Sequence, residues 1–166
     1  SPSLSDTVNC NTDDSSEGLR GHTGSGGIFN DHRGACLGCF SAYVWIQSTL
    51  FAELFAIILA LEMAGRKGWK KIWLELESVL AIQALKNVSI VPWPIRRFWE
   101  NMMTFCKKNH IILLSSHVYR EGNNVCAHLL ANFGAFSRDC FAWWNSVPFF
   151  VKDAFLRNQN VLPNYR

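Results

Sequence analysis

From Val8 to Asp13, Val8, Cys10 and Thr12 alternate with Asn9, Asn11 and Asp13. That period of two predicts a half-buried strand whose polar face ends in a carboxylate. SSEGLRGHTGSGG follows and reads as a loop. The run Gly27-Ile28-Phe29, a polar turn over residues 30–34 and a second run from Ala35 to Val44 predict a β-hairpin. At Leu50 the period changes: Leu50, Leu54, Ile57, Leu61 and Ala64 make one helical stripe. Ser48 or Thr49 is placed to cap its start, and Gly65 and Gly68 to end it. From Lys71 to Leu76 the period is two again, with Ile72, Leu74 and Leu76 on one side and Trp73, Glu75 and Glu77 on the other.

Ser78 is a candidate cap for a short helix over 79–86, VPWP breaks the chain, and a second helix is expected from about Ile95 to Lys108. Ile111 to Tyr119 reads as a strand, buried because its first residues are so apolar. A turn at Glu121-Gly122-Asn123 leads into a helix from Val125 to about Phe136. Beyond it the chain is rich in aromatic residues, with Pro148 and Pro163 marking irregular structure. Three antiparallel strands followed by two βα crossovers give an α/β fold: a mixed five-stranded sheet, three antiparallel then two parallel strands, flanked by helices. Residues 1–7 read as frayed or linker, 8–136 as the domain, and 137–166 as a C-terminal aromatic-rich extension. In such sheets a site forms at the carboxyl ends of the parallel strands, where the order reverses.

Composition narrows the chemistry. With 166 residues, 49% apolar and 17% charged, the chain has enough apolar surface for a packed core. A net charge of +3 does not by itself argue for nucleic acid. The cations do fall in pairs (Arg66-Lys67, Lys70-Lys71, Arg96-Arg97, Lys107-Lys108), which suit either a phosphate backbone or solvated helix ends. Of six cysteines, Cys36 and Cys39 form a C-x-x-C. No second pair completes a zinc site, and positions three apart on a strand point to opposite faces, so no metal or redox role is read there. No apolar run reaches the roughly 18 residues of a membrane helix, and no signal peptide opens the chain. Serine rather than methionine comes first, which points to a piece of a longer polypeptide.

Three carboxylates need explaining. Asp13 closes the first strand and Glu77 follows the strand 71–76, so both emerge at one edge if those strands are parallel neighbours. Glu53 lies three residues after Leu50 and four before Ile57, beside the apolar stripe. A carboxylate buried there without a cation would take up a proton. Two accounts fit: a helix-start carboxylate facing the dipole with its head in water, or convergence of Asp13, Glu53 and Glu77 on divalent metal. Carboxylates from separate elements suit Mg²⁺ or Mn²⁺. Two such ions about 4 Å apart activate water and stabilise the leaving oxygen of a phosphodiester. No G-x-S-x-G, Walker loop or HExxH competes.

Six blocks extend this reading: VNCNTDDSS at 8–16, GGIFNDHRG at 26–34, STLFAEL at 48–54, GWKKIWLELES at 68–78, SIVPWPIRRFW at 89–99 and SHVYREGNNVCAHLLANFG at 116–134. In this order and spacing they resemble the ribonuclease H type 1 fold in its plant reverse-transcriptase-like, retroelement-derived form. The resemblance implies a metal-dependent endonuclease that hydrolyses the RNA strand of RNA–DNA hybrids with two Mg²⁺ ions, Mn²⁺ being the more tolerant substitute. It assigns Asp13, Glu53 and Glu77 as ligands, places the fourth ligand position at His128, and makes His117 a helper in proton transfer or product release. Arg96, Arg97, Lys107 and Lys108 are the candidates for phosphate contact.

The pattern is departed from at Asp14, where glycine is usual; at Glu77, which lengthens an aspartate by a methylene; and at His128, where imidazole replaces a carboxylate. The loop after the first strand differs as well. Impaired catalysis is therefore expected. The alternatives are a catalytically degenerate nucleic-acid-binding remnant of a retroelement reverse transcriptase, or a nuclease of the same superfold with another substrate. The expected setting is intracellular, nuclear or cytoplasmic, within a longer reverse-transcriptase-like polypeptide.

Overall fold

The alternation that opens the chain becomes β1 (Thr7–Ser15), which has a parallel neighbour on one side and an antiparallel one on the other. The computed structural model describes residues 6–15, 21–120 and 122–161. β2 (Gly24–Asn30) and β3 (Cys36–Tyr43) continue the sheet antiparallel; β4 (Lys71–Leu76) and β5 (Ile112–His117) pair parallel beyond the other side of β1. A short β6 (Ala142–Trp144) pairs antiparallel with β3, so the order is β5-β4-β1-β2-β3-β6. The mixed sheet is as expected, with a sixth strand added at its edge. Among the described residues five α-helices flank it: α1 (Thr49–Lys67), α2 (Val79–Lys86), α3 (Trp93–Lys108), α4 (Asn123–Ser137) and α5 (Phe149–Val161).

α1 starts where Ser48 Oγ accepts the Phe51 amide and stops at Gly68, whose φ of 75° only glycine adopts cheaply. Its buried Leu54, Ile57 and Leu61 pack on Cys10, Ile72 and Leu74 of the sheet and on Trp99 of α3. Each such aliphatic side chain contributes roughly 1.5–3 kcal/mol. α4 covers the opposite face, over β1, β2 and β3. It comes close because β2 offers glycine: a Cβ at Gly24 would lie 2.0 Å from the Ala131 carbonyl oxygen, and one at Gly26 2.4 Å from the Ala131 nitrogen. Residues 24–27, read from sequence as the end of a loop, are therefore strand, and the missing side chains of Gly24 and Gly26 serve packing rather than turning. Residues 16–20 of that loop lie outside the described residues.

Other expectations need correcting. β5 is not buried: as an edge strand it leaves Ile112 44% and Leu114 36% exposed, on the same face as α4 but beyond the strands β1, β2 and β3 that α4 covers. Thr7, placed with the frayed start, is buried in β1. α3 begins at Trp93 rather than Ile95, because Pro94 fits a first helical turn, where its missing N–H costs nothing. The extension described as irregular carries β6 and α5. There Val151, Ala154 and Phe155 pack on Ile28, Cys39 and Leu130 as a second apolar cluster. Pro163 and Glu121 lie outside the described residues. Finally, Cys36 and Cys39 do not point apart. A register shift after Phe29 pairs Asn30 with Cys36 and Phe29 with Gly38, and it brings the two sulfurs to 3.7 Å.

Candidate metal centre

Because β1 and β4 run parallel, with Asn11 opposite Glu75, Asp13 and Glu77 leave the sheet at the same carboxyl edge. Period two then sorts the end of β1. Asp13 follows Asn11 toward α4; Asp14 turns to the other face, where its partner Ser25 donates a hydrogen bond from Oγ to the Ala52 carbonyl of α1, 2.7 Å away. Glu53, one residue on in α1, is half-buried there. Oxygens of Asp13, Asp14 and Glu53 all lie within 4.8 Å of one another. Between Asp13, Glu53 and Glu77 is a recess of about 10 Å³, walled by Leu76 and Ser78. That is room for a single water-sized body.

The two sides of β1 differ in charge. On the α1 side, burial, then Glu53 and then Asp13 push the Asp14 carboxyl up to about 8. Burial also raises Glu53, against the pull of hydrogen bonds from Ser78 and Asp14. One oxygen of Asp14 is buried with no hydrogen-bond partner. On the α4 side a cation is already present. Arg120, in the turn between β5 and α4, places Nε 3.2 Å from both carboxylate oxygens of Glu77 and Nη2 3.5 Å from Asp13 Oδ2. Its Nη1 lies 3.3 Å from His128 Nε2. A guanidinium only donates, so Nε2 must accept, and the imidazole is the neutral tautomer carrying its proton on Nδ1. That proton is donated to Asp13 Oδ2, 3.1 Å away. Burial, then the Asp13 charge, raises Glu77 despite Arg120. Burial opposes the charge on Arg120, but Asp13 and Glu77 outweigh it and hold the guanidinium above its usual value.

Of the residues singled out from sequence, Asp13, Glu53, Glu77 and His128 meet at this edge, though His128 meets Asp13 and Arg120 as a hydrogen-bonding partner. His117 is exposed, its ring edge-on to Tyr119 at 5.1 Å, and among the described residues it shares no hydrogen bond with the carboxylates. Arg96 is bound to its own turn: Nε and Nη2 donate to the Val91 carbonyl, and the guanidinium lies 4.2 Å from the Trp93 ring centre. Arg97, Lys107 and Lys108 are exposed on α3, an element that supplies none of the carboxylates. Glu75, a step back along β4, accepts from Asn9 at 3.2 Å.

Sequence reasoning gave no role to three residues of the site. Asp14 was a departure rather than a ligand, yet period two already put it on Glu53's side. Arg120 was the one cation of the turn at that edge. Asn124, wholly buried, donates to Glu77 Oε2 and accepts from Asn11, which fixes the glutamate's direction. Nothing in the sequence distinguished it from its neighbour Asn123. As a donor set the α1 side fits a hard divalent cation: its donors are all oxygen, no cation among the described residues lies beside them, and one oxygen is buried without a partner.

The model of a family described as reverse transcriptase-like matches residues 11–134, about three-quarters of the chain. The chain belongs to the reverse-transcriptase-like family. It is 33% identical over 130 residues to an Arabidopsis thaliana protein named "Putative ribonuclease H protein", covering 78% of this chain and 20% of that one. The chain thus spans about a fifth of that relative's length. Its fold is that of ribonuclease H. The ribonuclease H1 of the halophilic archaeon Halobacterium salinarum superposes with a TM-score of 0.67 at 24% identity, over 79% of this chain and 98% of that one. LC11-RNase H1, crystallised with an RNA/DNA hybrid, gives 0.67 at 25% identity over the same shares of the two chains. A foamy viral protease–reverse transcriptase with RNA/DNA hybrid gives 0.60 at 14%, covering 79% of this chain and 20% of that one. The extension that carries β6 and α5 lies beyond the family match.

Proposed function

We propose that this domain hydrolyses the RNA strand of RNA–DNA hybrids with the help of a divalent cation, Mg²⁺ or Mn²⁺. The observation that carries the reading is the meeting of Asp13, Glu53 and Glu77, from three separate elements, around one small recess at the carboxyl edge of the sheet. A reverse-transcriptase-like chain with that cluster and a ribonuclease H fold is suited to phosphodiester hydrolysis. The hybrid held by LC11-RNase H1 is the substrate class adopted for it.

Asp13, Asp14 and Glu53 would hold the cation, with Glu77 facing it across the recess. When bound, such an ion supplies water activation and neutralises charge on the departing oxygen. His128 orients Asp13 by donating from Nδ1, and Asn124 orients Glu77. Ser78 both caps α2 and lines the recess, so the helix start fixes one wall. The exposed Arg97, Lys107 and Lys108 supply phosphate attraction without base readout. The domain would act intracellularly, as part of a longer reverse-transcriptase-like polypeptide of retroelement origin.

A labelled hybrid, duplex DNA and single-stranded RNA, each with Mg²⁺ and then Mn²⁺, test the reading. Cutting confined to the RNA of the hybrid is expected, faster with Mn²⁺. Cutting of duplex DNA alone would move the domain to another substrate. The second reading, a binding remnant, is favoured by one observation: Arg120 and His128 already occupy Asp13 Oδ2. Hybrid binding with no cutting under either ion would select it.

A further inference from the structure

The α4 side of the centre is filled from within the chain. Arg120 meets Asp13 Oδ2 at 3.5 Å and both oxygens of Glu77 at 3.2 Å, and it holds His128 in the tautomer that donates to the same Asp13 oxygen. Any cation placed there would have to displace a guanidinium from two carboxylates and would find an imidazole where a fourth carboxylate would help it. The α1 side is the reverse. Among the described residues its carboxylates have no cation beside them, Asp14 buries an oxygen without a partner, and the recess beside them admits one water-sized body.

Charge leads to the same asymmetry. Arg120 already lies within 3.5 Å of Asp13 and 3.2 Å of Glu77, so one positive charge is built into the group before any ion binds. A second ion on the α4 side would sit against that guanidinium and be repelled by it.

We propose that Arg120 takes the place of a cation, so that this centre binds one divalent ion, on the side of Asp13, Asp14 and Glu53, with the guanidinium as its second positive charge. The inference rests on the metal reading above but not on the substrate. It makes Arg120 a positioning residue for Glu77 and Asp13, and it separates this chain from any site whose two cations are both metal.

The test counts Mn²⁺ by calorimetric titration and reads the electron paramagnetic resonance of the bound ion. Wild-type protein is expected to bind one Mn²⁺, with the six-line signal of an isolated ion. His128→Asp alone should still bind one, since the arginine remains. Arg120→Gln should bind its ion at least about 10-fold more tightly, a repulsion of about 1.4 kcal/mol having been removed. Arg120→Gln with His128→Asp should bind two, with the broadened signal of coupled ions. Two ions in wild type or in His128→Asp would overturn the inference, as would unchanged affinity in Arg120→Gln. If Arg120→Gln does not fold, His128→Asp and wild type still decide the count. Two ions together with hybrid cutting would remove only the one-ion inference. No ion in any of the proteins would overturn the metal reading and the inference together.

Discussion

The two faces at the end of β1 solve the same electrostatic problem in opposite ways. Toward α4, Asp13 and Glu77 are compensated by Arg120, oriented by Asn124 and joined to His128, and every contact is closed within the chain. Toward α1, Asp14 and Glu53 lie against each other with no basic side chain among the described residues, and crowding is relieved by protonation instead. Adjacent residues of one strand thus enter different chemistry because the pleat sends them to different helices. The compensated face is built for rigidity. The uncompensated one keeps a place that a cation can take.

The comparison can be broken most severely at Asp13, the residue both faces share. Asp13→Asn removes the acceptor of Arg120 and His128 as well as a ligand, and hybrid cutting should fall on the order of 10³-fold with the melting curve largely kept. Next comes the packing that creates the α4 face. Gly26→Val would drive a side chain into the backbone of α4, where even a Cβ would lie 2.4 Å from the Ala131 nitrogen. It should cost about 3 kcal/mol in urea unfolding, and it should separate His128 from Asp13 while α1 stays seated.

The uncompensated face is sharpened by Asp14→Asn. A carboxyl raised from 3.8 to about 8 in the folded protein keeps a proton that the unfolded chain has released. Metal-free wild type should therefore lose stability as pH rises from about 4 to about 8 and level off above. Asp14→Asn should abolish most of that slope, gaining on the order of 2 kcal/mol at about pH 8. A slope unchanged in the variant would place the proton elsewhere. The smallest effect is expected far from both faces. Lys107→Ala with Lys108→Ala should weaken hybrid binding only a few-fold and lower its salt dependence by about two phosphate contacts, leaving the cutting rate of bound hybrid unchanged.

Much of this was legible in the chain because periodicity and caps are local. The stripe of α1, the alternation of β1 and β4, and the serine caps at 48 and 78 needed no tertiary information. What failed depended on neighbours. An apolar run such as Ile111 to Leu114 is equally at home in a central strand or at an edge, and only the strand order decides. The glycines of β2 look like a loop until α4 is known to lie on them. The approach of Cys36 to Cys39 needs a bulge that no spacing rule contains. In the centre, Asp13, Glu53 and Glu77 could be found as carboxylates that lacked an ordinary reason. Arg120 could not, because its role comes from the turn that returns it to β1, and a lone arginine in a polar turn looks like any solvated cation.

The carboxylates at the end of β1 are proposed to cut RNA paired to DNA. The most direct measurement of this is single-turnover cutting of a hybrid labelled in the RNA strand, by wild type and by Glu53→Gln, with saturating Mn²⁺. Glu53 is the apt position because it touches neither Arg120 nor His128, so its loss leaves the compensated face intact. Cutting by wild type is expected, with a loss of at least about 10²-fold in Glu53→Gln and hybrid affinity retained. Equal rates in the two proteins, or no cutting by wild type, would contradict it.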